Sequence, residues 1–452
     1  MSSNPRRTAL KALLQVEKQG AYLNLLLPKL IEQSGLKDSD AGLAVELAYG
    51  TSRMQGFYDW VITEASGRDV SKIDLGALIC LRLGAHQLLT LQTPAHAAIF
   101  ETVELAKSET NEGAARFVNA VLRRMSERDS SQWKKLLERS DFTSEESLAV
   151  AHSHPEWIVR AFEQALKSEG RQSELEELLE ADNRPPKINL VHLPGKVMSN
   201  VTGIEPGLAS PIGYTLDSGD PAKVSGIQNG SLRVQDQGSQ LVTMALAEIK
   251  PIKQNEKWLD LCAGPGGKAV LLAALASQSS ATLTTNEVTP HRAQLVSTAI
   301  RHSGFSATQL VSDGRQLSLK EKFDRIMLDA PCLGLGSLRR RPESRWTKSV
   351  SDLKELTSLQ RELLQAAWNY LKPDGVLAYV TCSPHLSETT AQIEWFLRMN
   401  QDAKLLDSSQ TLRGLNPKLE LAPGRKTSQL WPHRNGTDAM FLAILEKGSG
   451  KA

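Results

Sequence analysis

Two of the four cysteines carry the strongest chemical signal in this chain of 452 residues. Cys332 lies in the segment Asp329-Ala330-Pro331-Cys332, and Cys382 follows Thr381 directly. Each cysteine comes just after an apolar run that is typical of a strand. A free cysteine usually packs as a small hydrophobe, but two of them beside proline at predicted strand ends favour reactive thiols. A thiolate near a basic segment is a nucleophile that can form a covalent intermediate.

A glycine-rich loop between a predicted strand and a predicted helix is the second chemical feature. Its residues are Cys262, Ala263, Gly264, Pro265, Gly266, Gly267 and Lys268. A phosphate-binding P-loop would need glycine at Cys262 and a hydroxyl residue at Ala269, so that type of site is excluded. Gly264, Gly266 and Ala269 do match a dinucleotide fingerprint, with Glu287 about twenty residues downstream. A dinucleotide-dependent oxidoreductase is therefore one alternative.

Three acidic residues, Glu287, Asp313 and Asp329, follow three successive predicted strands. A carboxylate is a suitable acceptor for ribose hydroxyl groups, and we assign that role to Glu287. Asp313 is a candidate for orienting an adenine ring. Any one of these residues could instead cap a helix, but together they favour a nucleoside ligand. S-adenosylmethionine, which needs close backbone approach at both of its ends, is the second alternative for the glycine loop.

A basic segment follows Cys332, although the chain as a whole is nearly neutral. The 53 Lys and Arg residues exceed the 51 Asp and Glu residues only slightly, so nucleic-acid binding must depend on local charge. The candidate residues in this segment are Arg339, Arg340, Arg341, Arg345 and Trp346. Arginine and tryptophan are suited to bind phosphates and to stack on an extruded base. We therefore expect this segment to contact RNA.

The remaining composition excludes several classes of protein. A hydrophobic content of 40% and a charged content of 23% exclude a disordered or fibrous chain. Four cysteines without a C-x-x-C pair provide neither a disulfide framework nor a zinc site, and the nine histidines lack metal-binding spacing. The sequence has neither an apolar signal core nor an apolar run of membrane-spanning length. We therefore expect a cytoplasmic protein with no metal site and no membrane span.

Residue spacing predicts which elements position these groups. Leu10, Leu13 and Leu14 recur at helical spacing with Gly20 at the C-cap, and residues 1–130 continue this helical pattern. Residues 145–250 predict a small α+β domain. They contain a strand over 187–192 and an acidic run over 174–182 that is typical of a solvated helix face.

Residues 251–448 alternate short apolar runs with helical patterns and predict a parallel, doubly wound α/β sheet. The predicted strands are Trp258–Leu261, Thr282–Thr285, Gln309–Val311, Ile326–Leu328, Val376–Val380 and Phe441–Leu445. Ligands of such sheets bind beyond the carboxyl ends of the strands. The glycine loop, the three acids and the two cysteines all follow such ends.

With these motifs in this order, residues 145–446 strongly resemble the RNA cytosine-C5 methyltransferases of the Sun/RsmB and NOP2 group. The resemblance includes Val234–Gln240 upstream and Asn435–Asp438 near the end. The helical part is similar to the RNA-binding antitermination factor NusB, notably at Tyr49–Arg53 and Phe117–Arg123. The resemblance thus implies a NusB-like RNA-binding domain over 1–130, a connecting domain over 145–250 and a Rossmann-like methyltransferase domain over 251–448.

The resemblance also implies a bacterial enzyme that methylates carbon 5 of a cytosine in 16S ribosomal RNA, with S-adenosylmethionine as methyl donor. Cys382 would add to carbon 6, Asp329 would hold and protonate the ring near nitrogen 3, and Cys332 would help remove the carbon 5 proton. The residues alone do not assign the two cysteine roles. Lys268 would bridge the loop to Asp329 or to RNA. A transfer RNA methyltransferase and a non-catalytic RNA-binding protein are the alternatives, and a monomer is the expected state.

Overall fold

The computed structural model describes residues 4–198, 201–217, 219–319 and 321–449. The chain forms two compact units, which are named here the helical unit and the sheet unit. The helical unit consists of Met1–Glu163, Ser173–Pro185 and Leu338–Lys348. The sheet unit consists of Gln164–Gln172, Pro186–Ser337 and Ser349–Ala452. Residues 145–250, which were predicted to form a small domain, are thus distributed between the two units.

Helices occur in both units. The helices of the described residues are, in chain order, α1 (Pro5–Gln19), α2 (Leu23–Ser34), α3 (Asp38–Arg53), α4 (Gln55–Ser66), α5 (Leu75–Ala85), α6 (Ala95–Glu109), α7 (Glu112–Met125), α8 (Ser130–Leu137), α9 (Ser144–Ala151), α10 (Glu156–Ser168), α11 (Leu175–Asp182), α12 (Ser225–Gln228), α13 (Gln237–Glu248), α14 (Gly267–Gln278), α15 (Pro290–His302), α16 (Ser344–Thr347), α17 (Val350–Tyr370), α18 (Thr390–Met399), α19 (Ser408–Leu415) and α20 (Pro432–Asn435). A π-helix, His86–Thr90, continues α5. Within the described ranges, no helix combines the length and the apolar character that crossing a bilayer requires.

All the strands of the described residues belong to the sheet unit. They are β1 (Ile188–His192), β2 (Ile204–Pro206), β3 (Gly213–Leu216), β4 (Leu232–Val234), β5 (Lys257–Asp260), β6 (Thr282–Asn286), β7 (Thr308–Leu310), β8 (Phe323–Asp329), β9 (Leu371–Thr381), β10 (Ala403–Leu406), β11 (Ser428–Gln429) and β12 (Phe441–Lys447). The first four form an antiparallel sheet in the order β2-β3-β1-β4, and the other eight form a second, larger sheet.

The helical unit confirms the helix pattern that the sequence predicted. Leu10 and Leu13 of α1 are buried in one core that also includes residues of α3 to α7, and Leu14 packs against this core. Gly20 ends α1 in the left-handed conformation, with φ 63°, and its N–H donates to the carbonyl of Val16. The C-cap glycine thus supplies a backbone conformation that side chains disfavour.

The large sheet is mostly parallel, as predicted, and has the order β10-β12-β9-β8-β5-β6-β7, with β11 beside β12. Strands β5 to β9 pair in parallel, but β12 runs antiparallel to β9, β10 and β11. The sequence pattern of β12 predicted its position as a strand but not this reversed direction. The crossover from β9 through α18 leaves a space beside β9, and β12 fills it from the opposite direction.

Both faces of the large sheet are buried. Along β8, Met327 packs in a core with α13 and α14, whereas Ile326 and Leu328 pack in a second core with α17. All three side chains are 0% exposed. Burial on both faces explains why the strands have continuous apolar runs instead of alternating ones. Ligand access is therefore confined to the ends of the strands.

Candidate active site

The sequence-selected groups lie along one edge of the large sheet. In the spatial order β9-β8-β5-β6-β7, the carboxyl ends of the strands and the segments just after them contain Cys382, Asp329, the glycine loop, Glu287 and Asp313. This edge is the usual ligand edge of an open α/β sheet.

Two glycines of the loop let its backbone approach neighbouring elements closely. A Cβ atom on Gly264 would lie 2.1 Å from Oε2 of Glu287. Gly266 has φ 110°, and a Cβ atom there would lie 3.2 Å from Cα of Val296. The loop also closes against β6, because the N–H of Ala263 donates to the carbonyl of Asn286 at 2.8 Å. The loop is thus a narrow backbone cradle in front of α14.

Glu287 is held directly against this cradle and is 3% exposed. Its Oε2 accepts from the N–H of Gly264 at 3.0 Å, and its Oε1 accepts from the N–H of Thr289 at 3.0 Å. Arg292 donates to the carbonyl of Gly264 at 2.6 Å and lies 3.6 Å from Oε2 of Glu287. Each carboxylate oxygen has a second lone-pair direction that can accept from a ligand hydroxyl.

Asp313 has a partner within its own turn. It caps the 3₁₀ turn Gly314–Gln316, and its carboxylate accepts from the backbone and the guanidinium of Arg315. The hydrogen bonds from Arg315 hold the pKa of Asp313 below its ordinary value. The capping role is therefore present, and contact with an adenine ring stays a prediction.

Asp329 and Lys268 form an ion pair at the centre of the edge. Nζ of Lys268 donates to Oδ2 of Asp329 at 2.8 Å. Burial opposes the charged form of Lys268, but the negative charges of Asp329 and Cys382 outweigh it and raise the lysine pKa. The sequence suggested Asp329 or RNA as the partner of Lys268, and in this structure Lys268 contacts Asp329.

The two cysteines meet beside this ion pair. Sγ of Cys332 lies 3.5 Å from Sγ of Cys382. The backbones are joined as well, because Gly336 N–H donates to the carbonyl of Cys382 at 2.8 Å and Ala330 N–H donates to that of Val380 at 2.9 Å. The hydrogen bond to Cys382, followed by burial, raises the pKa of Cys332 well above its ordinary value. The thiol form of Cys332 is therefore favoured.

Comparison with known proteins shows the family to which this chain belongs. A family model described as 16S rRNA methyltransferase RsmB/F matches residues 247–446. A methyltransferase of Mycobacterium tuberculosis is 42% identical over 98% of this chain and 96% of its own length. Ribosomal RNA small subunit methyltransferase B of Photorhabdus laumondii is 32% identical over 98% of this chain and 99% of its own length. The chain belongs to the RsmB/F methyltransferase family.

Both parts of the predicted resemblance are thereby confirmed. Residues 3–127 match the NusB family, which is the second component that the helical motifs predicted. The fold of the RsmB/F chain also matches the crystal structure of PH0851, with a TM-score of 0.78 and 22% identity over 99% of this chain and 100% of that one. Membership of a methyltransferase family removes the oxidoreductase alternative for the glycine loop.

Arg345, which the sequence suggested as an RNA contact, is part of the core of the helical unit and is 0% exposed. Its Nη1 donates to the carbonyls of Arg53 and Ser153 and to Oδ1 of Asn183, and its Nη2 donates to the carbonyl of Asp182. The prediction of RNA binding was wrong for this residue, because a fully buried guanidinium cannot reach a phosphate. Asp182, in the acidic run predicted to be solvated, is itself 1% exposed.

The other residues of the basic segment differ in their exposure to solvent. The indole N–H of Trp346 donates to the carbonyl of Ser52 at 3.3 Å, which ties this side chain to the helical unit. Arg339 is 7% exposed, and Arg340 is exposed. Trp346 is partly exposed, so base stacking by Trp346 stays a prediction, as do RNA contacts by Arg340 and the partly exposed Arg341.

Two site residues were not found by sequence reasoning. Asn286 joins three strand ends, because its Nδ2 donates to the carbonyls of Leu261 and Ser312. Asp260, the last residue of β5, is 1% exposed beneath the glycine loop. Asp260 is an acidic residue inside the apolar run Trp258–Leu261, and this exception could have indicated a site residue. The run was interpreted only as a strand.

Asp260 should make the stability of the protein depend on pH. Burial, and then the charge of Asp329, raise the pKa of Asp260 from 3.8 to about 8. A carboxyl whose pKa is raised on folding contributes stability at low pH that is lost as the pH rises through its folded pKa. We expect Asp260→Asn to leave stability unchanged near pH 4 and to raise it by several kcal/mol above pH 8, with about 6 kcal/mol as the upper bound, since each unit of this shift of about four pKa units is worth about 1.4 kcal/mol.

Urea unfolding of both proteins across this pH range measures the difference. Asp324→Asn is a matched control, because Asp324 lies at the opposite end of the sheet and pairs with Lys372. If the difference in the free energy of unfolding between the wild type and Asp260→Asn stays constant from pH 4 to pH 9, the raised pKa of Asp260 is contradicted.

Proposed function

We propose that this protein transfers a methyl group from S-adenosylmethionine to carbon 5 of a cytosine in 16S ribosomal RNA, through a covalent bond between Cys382 and carbon 6. The observation that carries the proposal is the pair of thiols, 3.5 Å apart, at the ligand edge of a methyltransferase-family sheet. The names of relatives, such as ribosomal RNA small subunit methyltransferase B, support 16S ribosomal RNA as the substrate.

The residues at the loop fit S-adenosylmethionine. A Cβ atom would fill the cradle at Gly264, and the buried Glu287 carboxylate faces that cradle with acceptor capacity for ribose hydroxyls. The cradle backbone would hold the rest of the donor. When bound, S-adenosylmethionine supplies an electrophilic methyl group.

Cys382 is the better nucleophile of the pair. The ammonium group of Lys268 and the thiol of Cys332 both stabilise a negative charge on Cys382. Carbon 5 of cytosine is a poor nucleophile, and addition of the Cys382 thiolate to carbon 6 makes it enamine-like. Covalent addition thus divides one difficult step into two easier ones.

Asp329 and Cys332 have the complementary roles. Asp329 holds the base near nitrogen 3 and passes to the ring a proton from the Lys268 ammonium group, which donates to the Asp329 carboxylate. The Cys332 thiol first loses its proton to the now neutral Lys268 amine. After methylation the Cys332 thiolate takes the proton from carbon 5, the bond from carbon 6 to the Cys382 sulfur breaks with both electrons on sulfur, and the ring regains its double bond as nitrogen 3 releases its proton. A thiolate whose pKa is raised is a stronger proton acceptor, and the raised pKa of Cys332 suits this step.

Methyl transfer to defined RNA tests the proposal. The purified protein is incubated with tritiated S-adenosylmethionine and with either 16S ribosomal RNA or total transfer RNA, and the labelled nucleoside is identified after digestion. We expect 5-methylcytidine in 16S ribosomal RNA. Label only in transfer RNA would support the second substrate, and RNA binding without label would support a non-catalytic protein. Either of these results would overturn the proposal.

Glu287→Ala should chiefly weaken binding of the methyl donor. The change removes the proposed ribose acceptor and leaves both cysteines in place. Loss of a hydrogen bond to a charged group is worth roughly 1.5 to 3 kcal/mol, or about tenfold to 150-fold in affinity. Calorimetric titration with S-adenosylmethionine measures the change. Glu321→Ala, at the opposite end of the sheet, is the control, and equal affinities for the two variants would refute the role of Glu287.

A further inference from the structure

Cys332 is held from both sides by side chains that the mechanism above does not use. The carbonyl of Pro331, just before the cysteine, accepts from Nε2 of Gln360 at 2.8 Å. The N–H of Leu333, just after it, donates to Oε1 of Glu388 at 2.9 Å. Both neighbouring peptide groups of one reactive thiol are thus fixed by side chains from other elements.

The two side chains also hold each other. Nε2 of Gln360, on α17, donates to Oε1 of Glu388 at 3.1 Å, and both residues are 0% exposed. Glu388 lies in the 3₁₀ turn Leu386–Glu388, six residues after Cys382, and its own carbonyl accepts from the hydroxyl of Tyr379 at 2.8 Å. The segment that carries Cys382 therefore anchors the Leu333 N–H directly, and it holds Gln360, which anchors the Pro331 carbonyl.

Burying a carboxylate is unfavourable unless hydrogen bonds compensate for lost water. An apolar side chain would fill the Glu388 position without this penalty, so packing alone does not explain the glutamate. The hydrogen bond to Leu333 does explain it, because it fixes the loop at the reactive residue. The charge of Glu388 also contributes, after the hydrogen bond to Cys382 and burial, to the raised pKa of Cys332.

We propose that Glu388 and Gln360 are positioning residues that hold the Cys332 thiol where it can remove the carbon 5 proton. This role rests on the function proposed above. Neither side chain touches substrate, and both act through the backbone on either side of Cys332. Their loss should slow breakdown of the RNA adduct but should not slow its formation by Cys382.

The test is a single-turnover reaction with S-adenosylmethionine and 16S ribosomal RNA. Adduct is quantified on a denaturing gel over time for Gln360→Ala, Glu388→Ala and Glu388→Gln. Gln392→Ala is the matched control, because Gln392 is also 0% exposed and donates to the carbonyl of Ser387, next to Glu388, without contacting the Cys332 loop. Cys332→Ala is the reference for complete loss of the proposed elimination step.

We expect Gln360→Ala and Glu388→Ala to form adduct at the wild-type rate and to release it about tenfold to a hundredfold more slowly, as small misplacements of reacting groups do. Glu388→Gln keeps an acceptor for Leu333 and should recover most of the release rate. Gln392→Ala should release adduct as the wild type does. Thermal unfolding checks each variant, and Gln360→Ala decides alone if Glu388→Ala does not fold.

The outcomes separate this inference from the proposed function. If Cys332→Ala accumulates adduct while Gln360→Ala and Glu388→Ala release it as fast as Gln392→Ala, the positioning role is wrong and the covalent mechanism stands. If Cys332→Ala itself accumulates no adduct, the proposed elimination role fails, and the positioning role fails with it.

Discussion

Replacing Cys332 with alanine should leave the protein covalently attached to its RNA, whereas replacing Cys382 should prevent attachment altogether. The two sulfur atoms are only 3.5 Å apart, yet their proposed roles leave different products. Cys382→Ala removes the nucleophile, so neither adduct nor methyl transfer should be detectable. Cys332→Ala retains attack and methylation but lacks the group that removes the carbon 5 proton, so the reaction stops at the adduct.

Denaturing electrophoresis after incubation with RNA and methyl donor measures this difference directly. Cys80→Ala is a matched control, because Cys80 is a buried cysteine of the helical unit and is 0% exposed. It should lose only the 0.5 to 3 kcal/mol of stability that is roughly usual for point changes, with no trapped complex. An adduct with Cys382→Ala but not with Cys332→Ala would reverse the two roles. Adduct with neither variant would leave the covalent mechanism without support.

Arg345→Ala should lower the stability of the helical unit by about 3 to 5 kcal/mol, because it leaves several acceptors without a donor and each unsatisfied buried acceptor costs about 1 to 3 kcal/mol. The substitution removes four hydrogen bonds of 2.7 to 3.1 Å. It leaves the carbonyls of the buried residues Arg53, Ser153 and Asp182, and the amide oxygen of the half-buried Asn183, without this donor. Buried acceptors without donors retain their full desolvation penalty.

Urea unfolding of Arg345→Ala, Arg345→Lys and Arg340→Ala tests this expectation. Lysine keeps the charge but cannot reach acceptors on both sides as a planar guanidinium does, so an intermediate loss is expected. Arg340→Ala should change the free energy of unfolding little, because Arg340 is exposed. Unchanged stability of Arg345→Ala together with weaker RNA binding would restore the RNA-contact role that the sequence suggested for Arg345.

Sequence reasoning placed residues correctly where residue type and strand position coincide. Cys332, Cys382 and Glu287 each follow an apolar run, and parallel strands bring their carboxyl ends to one edge. The direction of β12 was not predictable in the same way, because an apolar run indicates burial and not orientation.

The failures have a common physical origin. Arg345 was predicted to contact RNA because a cluster of arginines looks the same in the sequence whether its side chains are exposed or buried among backbone carbonyls. Glu388 and Gln360 were not found because their partners are backbone groups of Pro331 and Leu333, which leave no pattern in the sequence. Contacts of this kind are visible only after the chain has folded.

The course of the chain after Cys332 has a consequence for exchanging parts between related proteins. Leu338–Lys348 is integral to the helical unit although residues of the sheet unit precede and follow it. A chimera that replaced only the first 130 or 163 residues with those of a relative would keep Arg345 of this protein. Its guanidinium would then face the carbonyls of a different helical core, in place of those of Arg53 and Ser153. A working exchange must transplant Met1–Glu163, Ser173–Pro185 and Leu338–Lys348 together. The NusB-like part of this protein is therefore not a detachable module, because one segment of its compact unit lies in the chain just after Cys332.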